Sequence, residues 1–307
     1  MDSANKQSAV IAEATIGTTP ATPAFKLLRD ISLSGSPTRP AMRSPERRSD
    51  RTAANMTSGP NAYTKVINLP WARDAATDIL WESLFCKAWA SDVLKNASTP
   101  KSFTLEEKYE GGSTDSYRRL TGCHVDSVNI GFRIGEPGSL SFNVIALGES
   151  TATAAIASST YAAPTPGYDP STPADIVAND VLGLSSPKVV AMNMTIQNNM
   201  RAQYQWGSND PFGVGLGLFN VEGDITVYYS ALADYSAYAS RLAAQTLDLT
   251  IGATTLYKDQ LVLGNCDAFN PDISDPGATG DHLLNLKFFA RYDASDAAAI
   301  VLTRLVA

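Results

Sequence analysis

Three glycines in the segment DPFGVGLGLFNVEGDITVYY, residues 210–229, have a spacing found in loops that approach a phosphate group. Such a loop follows a strand and opens a helix, because the helix N-terminus supplies backbone amides and partial positive charge. Here an Asp-Pro turn signal precedes the glycines, and the residues after them alternate between apolar and polar, as in a strand. Gly213, Gly215 and Gly217 are therefore predicted to give shape to a flexible approach to an exposed β-hairpin, and not to bind a nucleotide.

Residues suited to catalysis or metal binding are few and are not grouped. His124 and His282 have no serine or cysteine near them in a nucleophile motif. Glu106 and Glu107 are adjacent on a predicted strand, so their carboxylates point to opposite faces and cannot share a glycosidic bond. The stretch NPDISDPGATGDH lacks the spacing and the closing Glu of a calcium loop. The sequence thus predicts no catalytic residue, cofactor site or metal ligand, and a protein that is not an enzyme.

Cysteine usage and hydropathy favour a reducing compartment. Cys86, Cys123 and Cys266 are odd in number and lack C-x-x-C spacing, so neither a zinc site nor a disulfide framework is predicted. The N-terminal residues have no apolar leader core, and no stretch reaches the roughly 18 apolar residues that cross a bilayer. We expect a protein that folds in a cytoplasm without membrane insertion.

Charge is divided unevenly between the two halves of the chain. The 307 residues are 44% hydrophobic, which is enough for the cores of two ordinary domains. Residues 1–159 hold 17 Lys and Arg against 16 Asp and Glu, whereas residues 160–307 hold 7 against 15, a balance of −8. The second half is therefore a poor partner for nucleic acid phosphates.

Basic residues are concentrated near the N-terminus. Residues 1–60 are rich in Ser, Thr, Pro, Ala and Arg, which indicates an extended arm with local strand character. The arginines of this arm are Arg39, Arg43, Arg47, Arg48 and Arg51. A nucleic-acid-binding stripe is one interpretation, but no aromatic residues lie between the arginines. An arm that pairs with an acidic surface on a neighbouring subunit, or that is solvated, fits better.

The rest of the pattern predicts a mainly β (α+β) fold with two β-rich units, residues 61–150 and 188–307, joined by a Pro-, Ala-, Ser- and Thr-rich linker at 151–187. The first unit has predicted strands at 63–69, 103–109, 117–120, 125–132 and 140–147 and a helix at 74–89. The second has strands at 189–197, 221–229, 247–251, 255–262, 266–273 and 283–292 and a helix at 232–246. The order of strand, helix and strands therefore recurs.

One landmark of this recurrence can be measured. A turn predicted at Gly122 lies 27 residues before the end of the last strand of the first unit, near Glu149. A turn predicted at Gly264 lies 27 residues before the corresponding end near Arg291. Two unrelated hairpins could share this spacing, but a duplication also explains the order of the elements.

Three stretches carry a resemblance to a known family. They are EATIGTTPATPAFKLLRDISLSG followed by RRSDR near the N-terminus, MNMTIQNNMRAQY, and VEGDITVYYSALADYSAY. In these stretches the chain resembles the tail tube (major tail) proteins of long-tailed, siphovirus-type bacteriophages. The likeness spans most of the chain but consists of short, degenerate motifs.

The resemblance implies two tandem β-sandwich or barrel-like units, each with a flanking helix, in rings that stack into the conduit for genome delivery. It implies other copies of the chain and other tail proteins at the tube ends as partners, with genomic DNA in transient, non-adhesive passage. The location implied is the virion tail tube, after synthesis in the bacterial host cytoplasm. Two units per chain would make a ring of three chains pseudo-hexameric, and the three glycines would belong to an inter-ring loop.

Two other classes of protein are alternatives to a tube protein. A carbohydrate- or receptor-binding β-sandwich of a virion could use Trp71, Trp81, Trp89 and Trp206 as stacking platforms, but three of them surround one predicted helix, where core packing is expected. A hydrolase lacks its catalytic constellation. A tube further predicts an acidic or neutral inner wall, because basic residues would bind a passing genome.

Overall fold

Strands make up most of the computed structural model, which describes residues 6–52, 55–111, 114–164, 173–252, 258–275, 277 and 280–305. The strands of the first half are β1 (Lys6–Ala12), β2 (Ala24–Leu27), β3 (Ser32–Ser34), β4 (Ala41–Arg43), β5 (Met56–Ser58), β6 (Tyr63–Pro70), β7 (Val93–Lys95), β8 (Phe103–Tyr109), β9 (Ser116–Arg133), β10 (Ser139–Ala146), β11 (Gly148–Ala152) and β12 (Thr160–Ala162). Those of the second half are β13 (Ile176–Val181), β14 (Val189–Gln197), β15 (Arg201–Gln203), β16 (Gly213–Gly215), β17 (Asn220–Tyr228), β18 (Leu242–Ile251), β19 (Lys258–Ser274), β20 (Leu283–Ala290) and β21 (Val301–Leu305). The helices are α1 (Ala75–Phe85) and α2 (Leu232–Ala239), and a 3-10 turn spans Pro173–Asp175. The predicted mainly β fold is confirmed.

Eight strands form one antiparallel sheet, called here the central sheet. Its order is β3-β6-β10-β9-β14-β17-β20-β19. Alternate residues of these strands are buried, as in β10, where Leu140, Phe142, Val144 and Ala146 point to the core. This period of two leaves the opposite face of the sheet uncovered.

The same six strand pairings occur twice along the chain. In the first half they are β1·β8, β3·β6, β6·β10, β8·β9, β9·β10 and β9·β11. In the second half they are β13·β18, β14·β17, β17·β20, β18·β19, β19·β20 and β19·β21. A helix follows β6 in one set and β17 in the other. We call residues 6–152 the first unit and residues 176–305 the second unit.

Both units begin earlier than the predicted boundaries at residues 61 and 188. β1 and β3 lie in the stretch interpreted as an arm, and β13 lies in the stretch interpreted as a linker. Val10 and Phe25 are fully buried, so residues 6–34 belong to the packed body of the first unit. These strands were not predicted because each contributes at most one or two core side chains, so their apolar pattern is weak.

The turns predicted at Gly122 and Gly264 are wrong, since both glycines lie inside long strands. Up to Cys123, β9 pairs with β8 and β11, and from His124 onward it pairs with β10 and β14. Gly122 has a φ of 61°, and a Cβ there would lie 2.7 Å from the side chain of Leu147. A Cβ at Gly264 would lie 2.0 Å from a carboxylate oxygen of Asp293. Each glycine allows a long strand to bend from one sheet into another. In the local sequence, a glycine at such a bend is indistinguishable from a glycine in a turn.

The two helices differ in how deeply they are packed. α1 begins at the N-cap Asp74, whose carboxylate accepts a hydrogen bond from Ala76 N, and it buries Leu80, Leu84 and Phe85. Of α2, only Tyr238 is buried. The prediction that α2 continues to residue 246 is wrong, because Leu242–Ile251 is strand β18. Pairing with β19 outweighs the helical pattern of this Ala- and Leu-rich stretch.

A buried ionic cluster fixes β1 to the first unit. The Glu107 carboxylate is fully buried, with Lys65 Nζ at 2.8 Å, Lys6 Nζ at 2.9 Å and Arg118 Nη1 at 3.5 Å. Burial alone would raise the pKa of the Glu107 carboxyl, but hydrogen bonds from Lys65 and Lys6 outweigh it, so the pKa lies below its usual value. The four side chains join β1, β6, β8 and β9.

We predict that Glu107→Gln destabilises the fold by about 3–5 kcal/mol, because it leaves the buried Lys65 ammonium without its counter-charge. Since the folded pKa is lowered, the contribution of Glu107 is present above the usual carboxyl pKa and is lost as pH falls through the folded pKa. Urea unfolding as a function of pH measures both effects. Glu110→Gln, the same substitution at an exposed pair with Lys108, is the control and should change stability by less than about 1 kcal/mol. Equal losses in the two variants would contradict the prediction.

Candidate assembly surfaces

Two hairpins project from equivalent places in the two units. The β3·β6 ladder ends at the bridge between Thr38 and Ala62, and the β14·β17 ladder ends at the pair Gln197 and Asn220. Residues 39–61 therefore span 23 positions and residues 198–219 span 22, and each stretch contains a short hairpin, β4·β5 or β15·β16. We call residues 39–61 the basic hairpin and residues 198–219 the glycine hairpin.

The glycine hairpin contains all three glycines of the G-x-G-x-G run. Gly213 and Gly215 are the ends of β16, which pairs with β15. A Cβ at Gly217 would lie 2.3 Å from the carbonyl oxygen of Asn199, and one at Gly215 would lie 2.9 Å from the Gln203 side chain. The glycines thus allow the two arms of the hairpin to approach closely, while their predicted role between rings stays a prediction.

The basic hairpin contains all five arginines of the predicted arm. Arg39 Nε donates to Asn61 Oδ1 at 2.6 Å, and Arg48 Nε lies 3.3 Å from a carboxylate oxygen of Asp50. Arg43, Arg47 and Arg51 are exposed. Residues 35–61 contain these five arginines against two acidic residues, Glu46 and Asp50, so this projection is positively charged.

The glycine hairpin folds back onto the base of the basic hairpin. Asn61 N donates to Asn209 O at 2.8 Å, and the Asp210 carboxylate accepts from Asn61 Nδ2 and from the Tyr63 hydroxyl, each at 2.6 Å. Tyr204 also donates its hydroxyl proton to Asn61 O. Burial and the hydrogen bond to Asp210 raise the pKa of Tyr63 to about 12. We call this set of interactions the hairpin contact.

The two units meet through a ladder in the central sheet. β9 and β14 pair from Ser127 with Gln197 to Arg133 with Ala191. Beyond the ladder, the buried Asn198 side chain donates to Leu84 O at 2.6 Å and to Val125 O at 3.1 Å. This residue therefore ties the start of the glycine hairpin to the C-terminal end of α1.

A second seam brings the end of the chain against α1. Arg304 of β21 forms an ion pair with Asp78 of α1, and its guanidinium lies 3.7 Å from the ring centroid of Trp89. β21 also pairs with β7, from Val301 with Lys95 to Thr303 with Val93. The second unit therefore covers α1 from two sides.

Both outer edges of the central sheet are open in the described part of the chain. There, β3 pairs only with β6, and residues 269–274 of β19 pair only with β20. Each edge carries a proline, Pro37 at one end and Pro271 at the other. Proline donates no hydrogen bond, so it limits unselective pairing at a strand edge.

The uncovered face of the central sheet, called here the polar face, is rich in amides and hydroxyls that bond to one another. Hydrogen bonds on it join Asn68 to Ser32, Asn143 to Ser127, Thr195 to Asn129, Asn193 to Asp224, and Thr226 to Asn285. Charged side chains on it include Arg133 and Lys287 together with Glu222, Asp224 and Asp272. The charges nearly balance, and the face runs across both units.

The tryptophans and histidines, the candidates for ligand binding or catalysis, lie far apart or in the core. Trp71 and Trp81 are buried with ring centroids 5.7 Å apart, whereas Trp206 is fully exposed in the glycine hairpin. His124 is buried and His282 is exposed, in different units. In the described residues no three His, Cys, Asp or Glu side chains form a group that could hold a metal, and no helix there is long and apolar enough to cross a membrane.

We predict that Tyr63→Phe loosens the glycine hairpin without unfolding the chain, because it removes one hydrogen bond to the Asp210 carboxylate. A loss of about 1 kcal/mol corresponds to roughly fivefold faster exchange of the amides of Asn209, Asp210 and Phe212. Hydrogen exchange read by mass spectrometry measures it. Tyr292→Phe, at an exposed ring, is the control and should leave this exchange unchanged. Unchanged exchange in Tyr63→Phe would show that the Tyr63 hydroxyl does not hold Asp210 in the hairpin contact.

Comparison with known proteins adds one match to this geometry. A family model described as phage tail tube protein matches residues 3–288. No curated protein matches the chain. The matched region includes both hairpins, both helices and the ladder between the two units. Because the match covers nearly the whole sequence, the chain belongs to the phage tail tube protein family.

Proposed function

We propose that this tail tube protein forms rings of three chains, and that the rings stack into the tube through which the phage genome leaves the virion. The observation that carries the proposal is the β9·β14 ladder between the two units. This ladder joins the outermost central-sheet strand of the first set of pairings, β9, to the outermost central-sheet strand of the second set, β14. A repeated unit that pairs in this way inside one chain can pair in the same way between chains.

The residues for pairing between chains follow from the repeat. Residues 32–38 are equivalent to 191–197, because the bridge at Thr38 corresponds to the ladder end at Gln197. Residues 269–275 begin five positions after Gly264, just as 127–133 begin five positions after Gly122. The open edge at 32–38 of one chain would therefore pair with the open edge at 269–275 of the next.

Closure of the ring removes both open edges. A sheet edge exposes unpaired N–H and C=O groups, and a closed sheet satisfies them. Three chains would bring six units and three times eight strands into one closed sheet. An assembly of this kind has pseudo-sixfold symmetry, because the two units of a chain share the same pairings but differ in sequence.

The polar face is proposed as the inner wall of the tube. The helices lie on the side of the central sheet that is packed, so the uncovered side is free to face a channel. Its amides and hydroxyls are largely engaged with one another, and its few charges nearly balance. Such a wall offers little phosphate neutralisation and releases few counterions, so double-stranded DNA would pass without adhering.

The two hairpins are proposed as the elements that reach other subunits. The basic hairpin, with Arg39, Arg43, Arg47, Arg48 and Arg51, would be an assembly arm. The glycine hairpin, with Gly213, Gly215 and Gly217, would be an inter-ring loop. It exposes Trp206, Phe212 and Leu218, and large apolar side chains grouped on one projection are typical of a contact surface. Other tail proteins would cap the two ends of the tube.

The stoichiometry of an isolated ring tests the proposal. Native mass spectrometry of rings released from purified tubes should give three times the chain mass of 32.6 kDa. Rings of six chains would show that the two units of one chain do not occupy equivalent positions around the axis. Protein that remains monomeric at high concentration, with no rings or tubes visible by electron microscopy, would contradict the tube itself.

A further inference from the structure

The basic hairpin has no counterpart of the hairpin contact within the described residues of its own chain. The glycine hairpin places Asn209 and Asp210 on Asn61 and Tyr63, at the base of the basic hairpin. The outer part of the basic hairpin, in contrast, is exposed almost throughout, including both strands β4 and β5. One of two equivalent projections is therefore docked and the other is free.

The repeat shows where the free projection would dock. Asp210 lies ten positions before the ladder residue Asn220, and Thr52 lies ten positions before the bridge residue Ala62. Asn61, which receives Asp210, directly precedes Ala62, and the residue that directly precedes Asn220 is Phe219. The contact between Asp210 and Asn61 thus corresponds to a contact between the Thr52 region and the Phe219 region.

We propose that the tip of the basic hairpin docks on the base of the glycine hairpin, residues 218–222, of a second copy of this chain in the same ring. The inference rests on the proposed ring, in which the edge at 32–38 of one chain lies beside the edge at 269–275 of its neighbour. The basic hairpin begins directly after residue 38, so it starts at that junction. Around the ring, each hairpin would then lie on the base of the next.

Charge favours docking of the basic hairpin on a neighbouring chain over docking on a base in its own chain. Inside the chain, the acidic tip residue Asp210 meets a base that contains Arg39. Hydrogen bonds from Asn61 and Tyr63, and to a smaller extent the positive charge of Arg39, lower the pKa of Asp210. Between chains the signs are reversed, because the tip carries Arg47, Arg48 and Arg51. The second unit, which would receive the tip, has 7 basic residues against 13 acidic ones.

Apolar surface points to the same place. Leu218, at the base of the glycine hairpin, is 74% exposed, and Met42 and Met56 of the basic hairpin are also largely exposed. Docking of the basic hairpin on the base of the glycine hairpin would remove these side chains from water. The burial of apolar surface would stabilise the contact, because exposed ion pairs contribute little binding free energy by themselves. A single surface therefore offers both charge complementarity and apolar contact.

A cysteine pair tests the docking. In the variant Thr52→Cys with Leu218→Cys, both new thiols are exposed, whereas the natural Cys86, Cys123 and Cys266 are buried and should not compete. Oxidation of assembled tubes should give covalent dimers and trimers on a non-reducing gel. An equimolar mixture of the two single variants should give dimers only, which shows that the bond joins different chains. The matched control is Thr52→Cys with Val177→Cys, exposed on β13, which should stay monomeric on the gel.

Hydrogen exchange on the unmodified protein provides a second readout that does not depend on the variants. Residues 44–52 and 218–222 should both gain protection when monomers assemble. Tubes without cross-links, or without protection in either segment, would overturn the docking but leave the tube function intact. Failure of the unmodified chain to form rings or tubes at all would instead overturn the proposed function.

Discussion

The ladder between β9 and β14 is the interaction on which the rest of the architecture depends. A strand edge must find partners for its backbone N–H and C=O groups. Inside this chain β9, the strand at the edge of the first unit's part of the central sheet, finds them in β14 of the second unit. The same need remains at β3 and at residues 269–274 of β19. The described part of the chain therefore contains one completed ladder between units and two open strand edges. Two such edges can pair between chains, which is the condition for a closed assembly.

The completed ladder also explains why the two units, alike in pairing, differ in burial. α1 receives Asn198 at its C-terminal end, and Phe85 lies 6.2 Å from the ring of Phe219. Seven residues of α1 are buried, whereas only Tyr238 of α2 is, because the second unit covers α1 and, in the described residues, no other unit covers α2. In the proposed ring the first unit of the next chain would take that place. The burial of α1 and the exposure of α2 thus distinguish a surface that is covered within the chain from one that the proposed ring would cover.

Much of this fold could be predicted from the sequence, and the failures share one cause. Alternation of apolar and polar residues located β6, β10, β14 and β20 closely. The apolar stripe located α1, which ends at Phe85 and not at residue 89 as predicted. The bends at Gly122 and Gly264, the end of α2 before Leu242, and the strands β1 and β13 were not predicted. Each depends on pairing with residues far away in the chain, which local periodicity does not report.

The candidate surfaces were predictable in part. The arginine cluster and the glycine run marked both hairpins, because charge and glycine spacing are local properties of the sequence. That the two hairpins are equivalent, and that Asp210 reaches Asn61 across 149 positions, could be seen only once the ladders on either side were known. Core packing of the three tryptophans around α1 was expected from the predicted helix, whereas the full exposure of Trp206 could not be predicted, since residue type alone does not show whether a ring is buried.

The most direct test of this account is a cryo-electron microscopy reconstruction of the assembled tube at a resolution that separates strands. The account predicts one closed sheet, in which residues 32–38 of each chain lie beside residues 269–275 of its neighbour and the polar face lines the channel. A ring in which these two edges face solvent, or in which the polar face lies outside and Lys and Arg side chains dominate the channel, would contradict it.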